Sequence, residues 1–290
     1  MNITLTGNLG SGKSTICKLL KEENFEIVSG GALFRSIAAE KGMSVMELNQ
    51  AVEEEIKSGN HSIDDLIDQR SEELGNRLDH AVFDSRLAWN FVKNSFKVFL
   101  IADINEATRR ILHDNRSTEQ YCSEEECRKT LLLRQKVEQS RFLELYHIDY
   151  YNLENYNLVL ETSNVSPDVI KAVILDEFAS YQRQEYQLKI LLNPTSIFPT
   201  ESIHTKKQSS MPEREVRVGI KNNEWYALQG HQTLLASLQQ NLPFLQVGME
   251  QKEEIPSVAQ SVIDEFEELG HFTYKNYPTR EQEENLLHCS

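Results

Sequence analysis

The chain has 290 residues and a formal net charge of −15, with 39% hydrophobic and 26% charged residues. That length suits one large domain or two smaller ones, and the apolar content is sufficient for a core. The acidic balance argues against a general nucleic-acid-binding protein, and no segment is apolar over a length that predicts a membrane span. The first residues predict a strand rather than a leader peptide, so we expect a cytoplasmic protein.

The cysteines and the acidic runs indicate no site. Two acidic runs, 124–126 and 281–284, are interpreted as solvated surface. The cysteines lack the spacing of a zinc site or a disulfide framework, and we expect reduced structural thiols. The sequence has four of them: Cys17, Cys122, Cys127 and Cys289.

An eight-residue segment near the start fits the phosphate-loop pattern G-x-x-x-x-G-K-[ST]. It consists of Gly7, Asn8, Leu9, Gly10, Ser11, Gly12, Lys13 and Ser14, and it is followed by Thr15. A β-prone run at 3–6 enters the loop and a helical apolar pattern leaves it. A glycine-rich turn without a ligand is the alternative interpretation, but the strand and helix flanks favour a nucleotide site.

Each residue type in this segment has a chemical reason. Glycines let the backbone come close to a polyphosphate, and inward N–H groups with the positive end of the next helix attract the anion. Lys13 is predicted to bridge the β- and γ-phosphates, and the Ser14 hydroxyl to ligate Mg²⁺. Residues 7–15 are therefore the expected site of a purine nucleoside triphosphate, with Mg²⁺ as a further cofactor.

Strand-like and helix-like segments alternate through the first 181 residues. Strands are predicted at 25–29, 81–84, 97–101 and 156–161, and helices at 32–41, from 44 onward, at 62–78, within 104–146 and at 167–181. Ser44 and Glu47 occupy the positions of a capping box. This alternation predicts an α/β fold with a mainly parallel sheet covered by helices on both faces.

The composition changes after residue 181. Residues 182–215 hold three prolines and a polar stretch at 206–210, and we interpret them as a linker with a strand at 188–192. A smaller α+β unit is predicted to follow, with strands at 216–220, 225–228 and 244–247 and helices at 231–240 and 258–269. The sequence therefore predicts two domains, 1–181 and 182–290.

A phosphate loop alone does not separate kinases from GTPases, transport ATPases or helicases. A small kinase also needs cations for the acceptor phosphate and a lid that excludes water. Arg35 and Arg86 follow predicted strands, at the edge where α/β sheets place ligands. Arg134 and Arg141 lie on one face of a predicted helix. The start of this lid carries two more arginines, Arg110 and Arg116.

Acidic residues complete the predicted site, and for each of them an interpretation without a function in the site is also open. Asp84 ends a predicted strand and could hold a Mg²⁺-bound water or orient the acceptor, or it could simply form a turn. Asp68 and Arg70 could read a base edge by hydrogen bonds, but an ion pair on a helix surface is equally consistent. For each arginine the alternative is a solvated surface charge.

Residues 1–180 resemble the cytidylate kinases, P-loop nucleoside monophosphate kinases, and in particular their compact archaeal-type branch. Beyond the loop, the resemblance is carried by residues 29–35, 63–70, 85–89, 140–149 and 156–159. It implies that the acceptor and transferring phosphates are held by Arg35, Arg86, Arg134 and Arg141, and that Asp68 with Arg70 faces the pyrimidine. It also implies transfer of the ATP γ-phosphate to CMP or dCMP, with Mg²⁺ and without a covalent enzyme intermediate.

Two positions depart from the family's pattern. Members commonly have Gly before the arginine, where this chain has Ser85, and Glu where Asp84 stands. Ser85 carries a side chain where Gly leaves room, which bears on the identity of the acceptor more than on the reaction. A kinase for a modified nucleotide or a pathway metabolite is therefore an alternative, and so is an ATP-binding sensor that gates the second domain.

Residues 187–250 resemble the ParB/sulfiredoxin-like fold, on stretches 225–236 and 242–244. Its members bind nucleotides or phosphate groups at a Gly-containing turn and the next helix N-terminus. Here Gln229 stands at the acidic position and Thr233 at the arginine position, while Gly230 and His231 remain. A module that binds a small nucleotide or phosphate, or a degenerate structural one, is expected. An active second enzyme is the alternative, and ordinary helix capping also explains the Gly-His turn.

Overall fold

The computed structural model describes residues 1–58, 62–114, 121, 123–183, 186–203, 215–221, 224–250 and 254–274. Its contacts divide the chain into two compact units, Met1–Ile190 and Leu191–Ser290. The first unit thus extends a few residues beyond the predicted boundary at 181. Several features of the sequence lie outside the described residues: Arg116, Cys122, Cys289, the polar stretch 206–210 and the acidic run 281–284.

A parallel sheet forms the centre of the first unit. Its strands are β1 (Asn2–Gly7), β2 (Glu26–Ser29), β3 (Ala81–Asp84), β4 (Ser95–Ile101) and β5 (Leu158–Glu161). They lie in the order β2-β3-β1-β4-β5, and their pairings are parallel. Ile3, Phe83 and Leu160 are at most 1% exposed, as expected when helices flank both faces of the sheet.

Helices connect these strands, as the alternating pattern predicts. They are α1 (Lys13–Glu22), α2 (Gly30–Glu40), α3 (Val45–Ser58), α4 (Ser62–Arg77), α5 (Ala88–Phe91), α6 (Ile104–His113), α7 (Glu124–Tyr146) and α8 (Pro167–Gln182). The capping box before α3 is confirmed: the Ser44 N–H donates to Glu47 Oε2 at 2.7 Å, and the Glu47 N–H to Ser44 Oγ at 3.2 Å. Among the described residues, no helix has the length and apolarity that a bilayer crossing needs.

Apolar packing fixes the position of the helices that carry Arg35, Asp68 and Arg70, which the sequence predicts to bind the acceptor. Ile37 of α2, Leu48 of α3 and Ile63 of α4 belong to one buried cluster and are at most 3% exposed. Burying each of these side chains stabilises the fold by about 1.5–3 kcal/mol. At Gly75 of α4, a Cβ would lie 2.8 Å from Val92 Cγ1. Helix α4 is therefore held in a close, fixed position beside the segment that follows β3.

The second unit is a smaller mixed structure, in line with the predicted α+β class. Strand β6 (Lys189–Leu192) spans the boundary, and the unit continues with β7 (Ile197–Pro199), β8 (Val216–Lys221), β9 (Glu224–Gln229), α9 (His231–Gln239), β10 (Leu245–Met249) and α10 (Gln260–Gly270). Strand β8 pairs antiparallel with β9 and parallel with β10, and β7 pairs parallel with β9.

The interpretation of 182–215 as a linker with one strand is wrong at one point. A single 3₁₀ turn (Pro194–Ser196) leads directly into β7. Asn193 caps that turn through the Thr195 N–H at 3.0 Å, and its Nδ2 donates to Pro243 O at 3.0 Å. The prolines suggested irregular chain, but Pro199 ends a strand at the edge of the sheet, where a missing N–H leaves no ladder bond unmade.

Two of the cysteines lie among the described residues. Cys17 and Cys127 are both buried. Burial, with the nearby charge of Asp84 as a smaller cause, raises the pKa of Cys17 to about 12. A thiol with such a pKa stays protonated at neutral pH and is a poor nucleophile. Cys17 is therefore a packing residue behind the phosphate loop.

Candidate active site

The phosphate loop joins β1 to α1, as predicted. Strand β1 ends at Gly7 and α1 begins at Lys13. Gly10 has φ +74°, and a Cβ there would lie 2.7 Å from Ala107 of α6. Gly12 has φ +88° and precedes α1 without a side-chain cap. The loop conformation and the close approach of α6 both require glycine.

Hydrogen bonds hold the loop to the ends of β4 and β5. Asn8 Nδ2 donates to Ala102 O at 2.7 Å, and the Ala102 N–H donates to Asn8 Oδ1 at 2.9 Å. Thr162 Oγ1 donates to Ser11 O at 3.0 Å. Arg110 Nη2 donates to Thr162 O at 2.6 Å. These bonds preorganise the loop, so that little conformational entropy remains to be lost when an anion binds.

Arg110, predicted to flank the start of the lid, lies on α6 and contacts the phosphate loop. Its Nη1 donates to Gly10 O at 3.2 Å. Its Nε donates to Glu106 Oε1 at 2.8 Å, one turn earlier on α6. Arg110 therefore fastens the loop to α6. The i,i+4 spacing to Glu106 was visible in the sequence, but the contact with Gly10 was not.

Lys13 folds back over the loop. Its Nζ donates to Gly7 O at 2.9 Å and to Asn8 O at 3.2 Å. Burial, followed by the positive charge of Arg86, lowers the pKa of Lys13 to about 7. Because phosphate charges favour the ammonium form, an anion bound at this loop would raise that pKa again.

Two oxygen donors lie at positions suited to a divalent cation. Ser14 is exposed in the first turn of α1. Asp84 ends β3, whose register places it opposite Leu5 of β1. Burial raises the pKa of Asp84, against the lowering effects of the Lys13 and Arg86 charges. Hydroxyl and carboxylate oxygens are the ligands that Mg²⁺ prefers, so these residues fit a magnesium ion bound together with phosphates.

Arg86 connects the phosphate loop to the other half of the cleft. It lies between β3 and α5, and its Nη1 donates to Gly7 O at 2.7 Å. Its Nε donates to Glu138 Oε2 on α7 at 2.8 Å. Burial of the guanidinium would lower its pKa, but the charge and hydrogen bond of Glu138 outweigh this effect and raise it. Arg86 therefore stays a cation in a partly buried position.

Arg35 and Ser85 flank the first turn of α2. A Cβ on Gly31 would lie 3.5 Å from Arg35 Nη1, and a Cβ on Gly30 would lie 3.6 Å from Ser85 Oγ. Arg35 itself is exposed on α2. Ser85, which departs from the cytidylate kinase pattern, thus lies beside Gly30 at the start of α2, the helix that carries Arg35.

The structure does not bring Asp68 and Arg70 together. Asp68 accepts a hydrogen bond from Tyr146 OH on α7 at 2.7 Å. Arg70 Nη2 instead contacts Glu40 Oε2 at 3.1 Å, which is the surface ion pair kept as the alternative. Residues two apart on a helix point in nearly opposite directions. Burial, opposed by the hydrogen bond from Tyr146, raises the pKa of Asp68 to about 6.

Helix α7 carries the predicted lid arginines, and we call it the lid helix. Arg141 Nη2 lies 2.5 Å from Asp64 Oδ2 of α4, and Arg134 is exposed two turns earlier. The lid helix thus contacts Arg86 and α4 through three pairs: Glu138 with Arg86, Arg141 with Asp64, and Tyr146 with Asp68.

Glu138, Asp64 and Tyr146 were not among the predicted site residues. Their spacing could have suggested two of them: Asp64 lies four residues before Asp68, and Glu138 lies three before Arg141, so each shares a helix face with a predicted site residue. The spacing gives no indication that these two faces meet each other. That relationship exists only in the folded chain.

The second unit keeps the Gly-His turn. Gly230 has φ +79°, and a Cβ there would lie 2.7 Å from Val216 Cα. His231 is 3% exposed, and its Nε2 accepts the N–H groups of Thr200 at 3.1 Å and Glu201 at 3.2 Å. The histidine therefore ties the end of β7 to the start of α9. The resemblance to the ParB/sulfiredoxin-like fold stays a prediction.

Comparisons with known proteins agree with the first unit's geometry. The model of the "Cytidylate kinase-like family" matches residues 2–164. A cytidylate kinase of Methanobrevibacter smithii is 33% identical over 176 residues, which is 60% of this chain and 96% of that protein. A cytidylate kinase of Haloarcula marismortui is 36% identical over 185 residues, covering 62% of this chain and 91% of that protein.

A third relative has a different name. A protein of Lacinutrix mariniflava named S-adenosylmethionine-dependent nucleotide dehydratase is 33% identical over 178 residues, which is 61% of this chain but 35% of that protein. The matches with the two archaeal enzymes, which extend over nearly their whole length, identify a kinase of a nucleotide or another small molecule. The chain belongs to the cytidylate kinase-like family.

Proposed function

We propose that this chain transfers the γ-phosphate of ATP to a nucleoside monophosphate, with CMP or dCMP as the favoured acceptor. The observation that carries this proposal is the position of Arg86, which contacts the first glycine of the phosphate loop and a residue of the lid helix. A cation between a donor loop and a lid is what a transferring phosphoryl group needs. The named relatives support a nucleotide acceptor.

In this proposal the donor half is residues 7–15. The loop N–H groups and the start of α1 would hold the β- and γ-phosphates, and Lys13 would turn from Gly7 O towards them. Ser14 and Asp84 would hold Mg²⁺, which would neutralise the developing charge on the β- and γ-oxygens when bound. Since ATP is a cytoplasmic metabolite, we also propose the cytoplasm as the compartment.

In the same proposal the acceptor half would comprise residues of α2, α4, the lid helix and the segment between β3 and α5. Arg35 and Arg86 would hold the acceptor phosphate, and Arg134 with Arg141 would close over the transferring group. Asp68, presented by Tyr146, would accept hydrogen bonds from the base. Catalysis would come from alignment and charge neutralisation, because a phosphate acceptor needs little help from a base.

The test is ADP production by the full chain with a panel of nucleoside and deoxynucleoside monophosphates. Turnover that depends on CMP or dCMP is the expected result. Lys13→Ala should abolish it, while Lys18→Ala, at an exposed position of the same helix, should not. ATP binding without acceptor-stimulated turnover would contradict the proposal and would favour the sensor alternative.

A modified nucleotide is the second candidate acceptor. Ser85 lies beside Gly30 in the first turn of α2, and it carries a side chain at a position where the family commonly has glycine. The relative named as a nucleotide dehydratase contains a region similar to this chain, which associates such a domain with chemistry on a nucleotide. Adding dehydrated nucleoside monophosphates to the panel separates the two candidates by the ratio of their kcat/KM values.

We keep a ligand-binding or regulatory role for the second unit as a prediction. Its Gly-His turn is retained, but Gln229 donates to Glu250 Oε2 at 3.1 Å, so the position expected to be acidic carries an amide with a local partner. Calorimetric titration of the full chain with nucleotides and inorganic phosphate would detect binding beyond one donor and one acceptor. If the double variant Lys13→Ala, Arg86→Ala binds neither nucleotides nor phosphate, the second unit has no binding site of its own and the prediction is wrong.

A further inference from the structure

We propose that Glu138 is a positioning residue that orients Arg86 towards the acceptor and transferring phosphates. This inference rests on the kinase function proposed above, because Arg86 is the group through which Glu138 acts. Glu138 was not among the predicted site residues, and its role follows from its contacts in the folded chain.

A short series of hydrogen bonds runs from the lid helix to the phosphate loop. Glu138 Oε2 accepts from Arg86 Nε at 2.8 Å, and also from Tyr150 OH at 3.3 Å. Arg86 Nη1 then donates to Gly7 O at 2.7 Å. The side chain of Arg86 is 17% exposed and that of Glu138 is 33% exposed. A pair this sheltered from water is screened less than a surface ion pair.

The geometry of the guanidinium makes this arrangement directional. An arginine has five N–H donors in one rigid plane. Glu138 holds the Nε end of that plane and Gly7 holds the Nη1 end. With both ends held, the plane cannot rotate freely, and the direction of the remaining N–H groups is set. An oriented donor gives more transition-state stabilisation than one that must reorganise during the reaction.

The charge of Glu138 also serves the neighbouring cations. Arg86 Nη1 and Lys13 Nζ both donate to Gly7 O, at 2.7 Å and 2.9 Å, so the two cations lie side by side, and the Glu138 carboxylate contacts one of them. The carboxylate therefore offsets repulsion between two cations that must stand side by side before phosphates arrive. Glu138→Gln removes this charge and keeps the shape of the side chain. It should therefore disturb the orientation of Arg86 more than the stability of the fold.

The test is a double-mutant cycle in the full chain, with Glu138→Gln, Arg86→Ala and the double variant. Glu144→Gln, an exposed glutamate on the same helix, is the matched control. We expect Glu138→Gln to lower kcat/KM for the acceptor about 10-fold to 100-fold, with the KM for ATP within about 2-fold of wild type. In the Arg86→Ala background, Glu138→Gln should cause almost no further loss of kcat/KM. Glu144→Gln should match wild type.

Each contrary result has its own meaning. An equal loss in both backgrounds would show that Glu138 acts independently of Arg86, and would overturn the inference. Tighter acceptor binding by Glu138→Gln, measured by calorimetry without ATP, would show that the carboxylate competes with the acceptor, and would also overturn it. Wild type without acceptor-dependent turnover would instead refute the proposed function. Thermal unfolding of every variant checks that the fold is intact.

Discussion

Arg141 Nη2 of the lid helix lies 2.5 Å from Asp64 Oδ2 of α4. An arginine predicted to hold phosphate is thus paired with a carboxylate of the chain itself. Asp64 Oδ2 accepts a hydrogen bond from Arg141 Nη2, so this carboxylate competes with any phosphate oxygen for that N–H donor. An incoming acceptor that uses this donor must exchange the pair for its own contact.

The first prediction follows from that exchange. Asp64→Asn removes the competing charge and should lower the KM for the acceptor about 2-fold to 5-fold, whereas Arg141→Ala should raise it. Steady-state kinetics with varied acceptor and saturating ATP measure both effects. Asp65→Asn, at an exposed neighbouring position, is the control. An Asp64→Asn variant with a higher KM would show instead that Asp64 supports the bound acceptor.

The second prediction concerns pH. In the free chain the pKa of Lys13 is lowered to about 7, and bound phosphates favour its charged form. ATP binding should therefore take up a proton above pH 7, and the affinity should fall by up to about 10-fold for each pH unit between 7.5 and 9. Calorimetry in two buffers with different heats of ionisation measures the uptake.

A charge that does not titrate is the control for Lys13. Lys13→Arg keeps the cation at every pH in this range, so its ATP affinity should be independent of pH, whatever its absolute value. Wild-type affinity that is also constant from pH 7.5 to 9 would show that Lys13 is charged in the free chain, contrary to the prediction.

The third prediction concerns reading of the base. Asp68→Asn exchanges an acceptor oxygen for a donor at the position that Tyr146 presents, and should raise the KM for CMP about 10-fold or more, because a mismatched polar group is costly in a buried site. Arg70→Ala should change it less than about 2-fold, since Arg70 contacts Glu40 on the surface. Comparable losses in the two variants would mean that both side chains read the base.

The fourth prediction tests the glycine conformation in the loop. Gly10→Ala would bring a Cβ within 2.7 Å of Ala107 in addition to the strain of φ +74°, and should weaken ATP binding by more than about 10-fold. Gly42 also has positive φ, +66°, but nothing lies within 4 Å of a Cβ there. Gly42→Ala should therefore cost about 1–2 kcal/mol of stability and leave ATP affinity unchanged. Equal ATP affinities in the two variants would contradict this account.

The fifth prediction concerns the departure at Ser85. Ser85→Gly removes the hydroxyl that lies 3.6 Å from a Cβ position on Gly30. If the side chain narrows the acceptor site, the variant should gain activity towards acceptors that wild type uses poorly, by about 10-fold in relative kcat/KM. An unchanged ranking of the acceptor panel would show that Ser85 does not select the acceptor.

Local patterns predicted the donor half well because its chemistry is contiguous in the chain. The loop between β1 and α1 and the Ser44–Glu47 box follow from neighbouring residues. The pairing of Arg86 with Glu138 joins residues far apart in sequence, so it could not be predicted without the folded chain. The separation of Arg70 from Asp68 could have been predicted from the sequence, because residues two apart on a helix point in nearly opposite directions.

Gly7 O accepts hydrogen bonds from Lys13 Nζ at 2.9 Å and from Arg86 Nη1 at 2.7 Å. One peptide oxygen thus joins the lysine of the phosphate loop to the arginine that is proposed to hold the acceptor. If a ligand draws one of these cations away from Gly7 O, the other cation no longer shares that oxygen, and the free energy of its own contact with a ligand changes. In the proposed reaction the two substrates would therefore be thermodynamically linked through a single carbonyl group, and each should bind with an affinity that depends on the presence of the other.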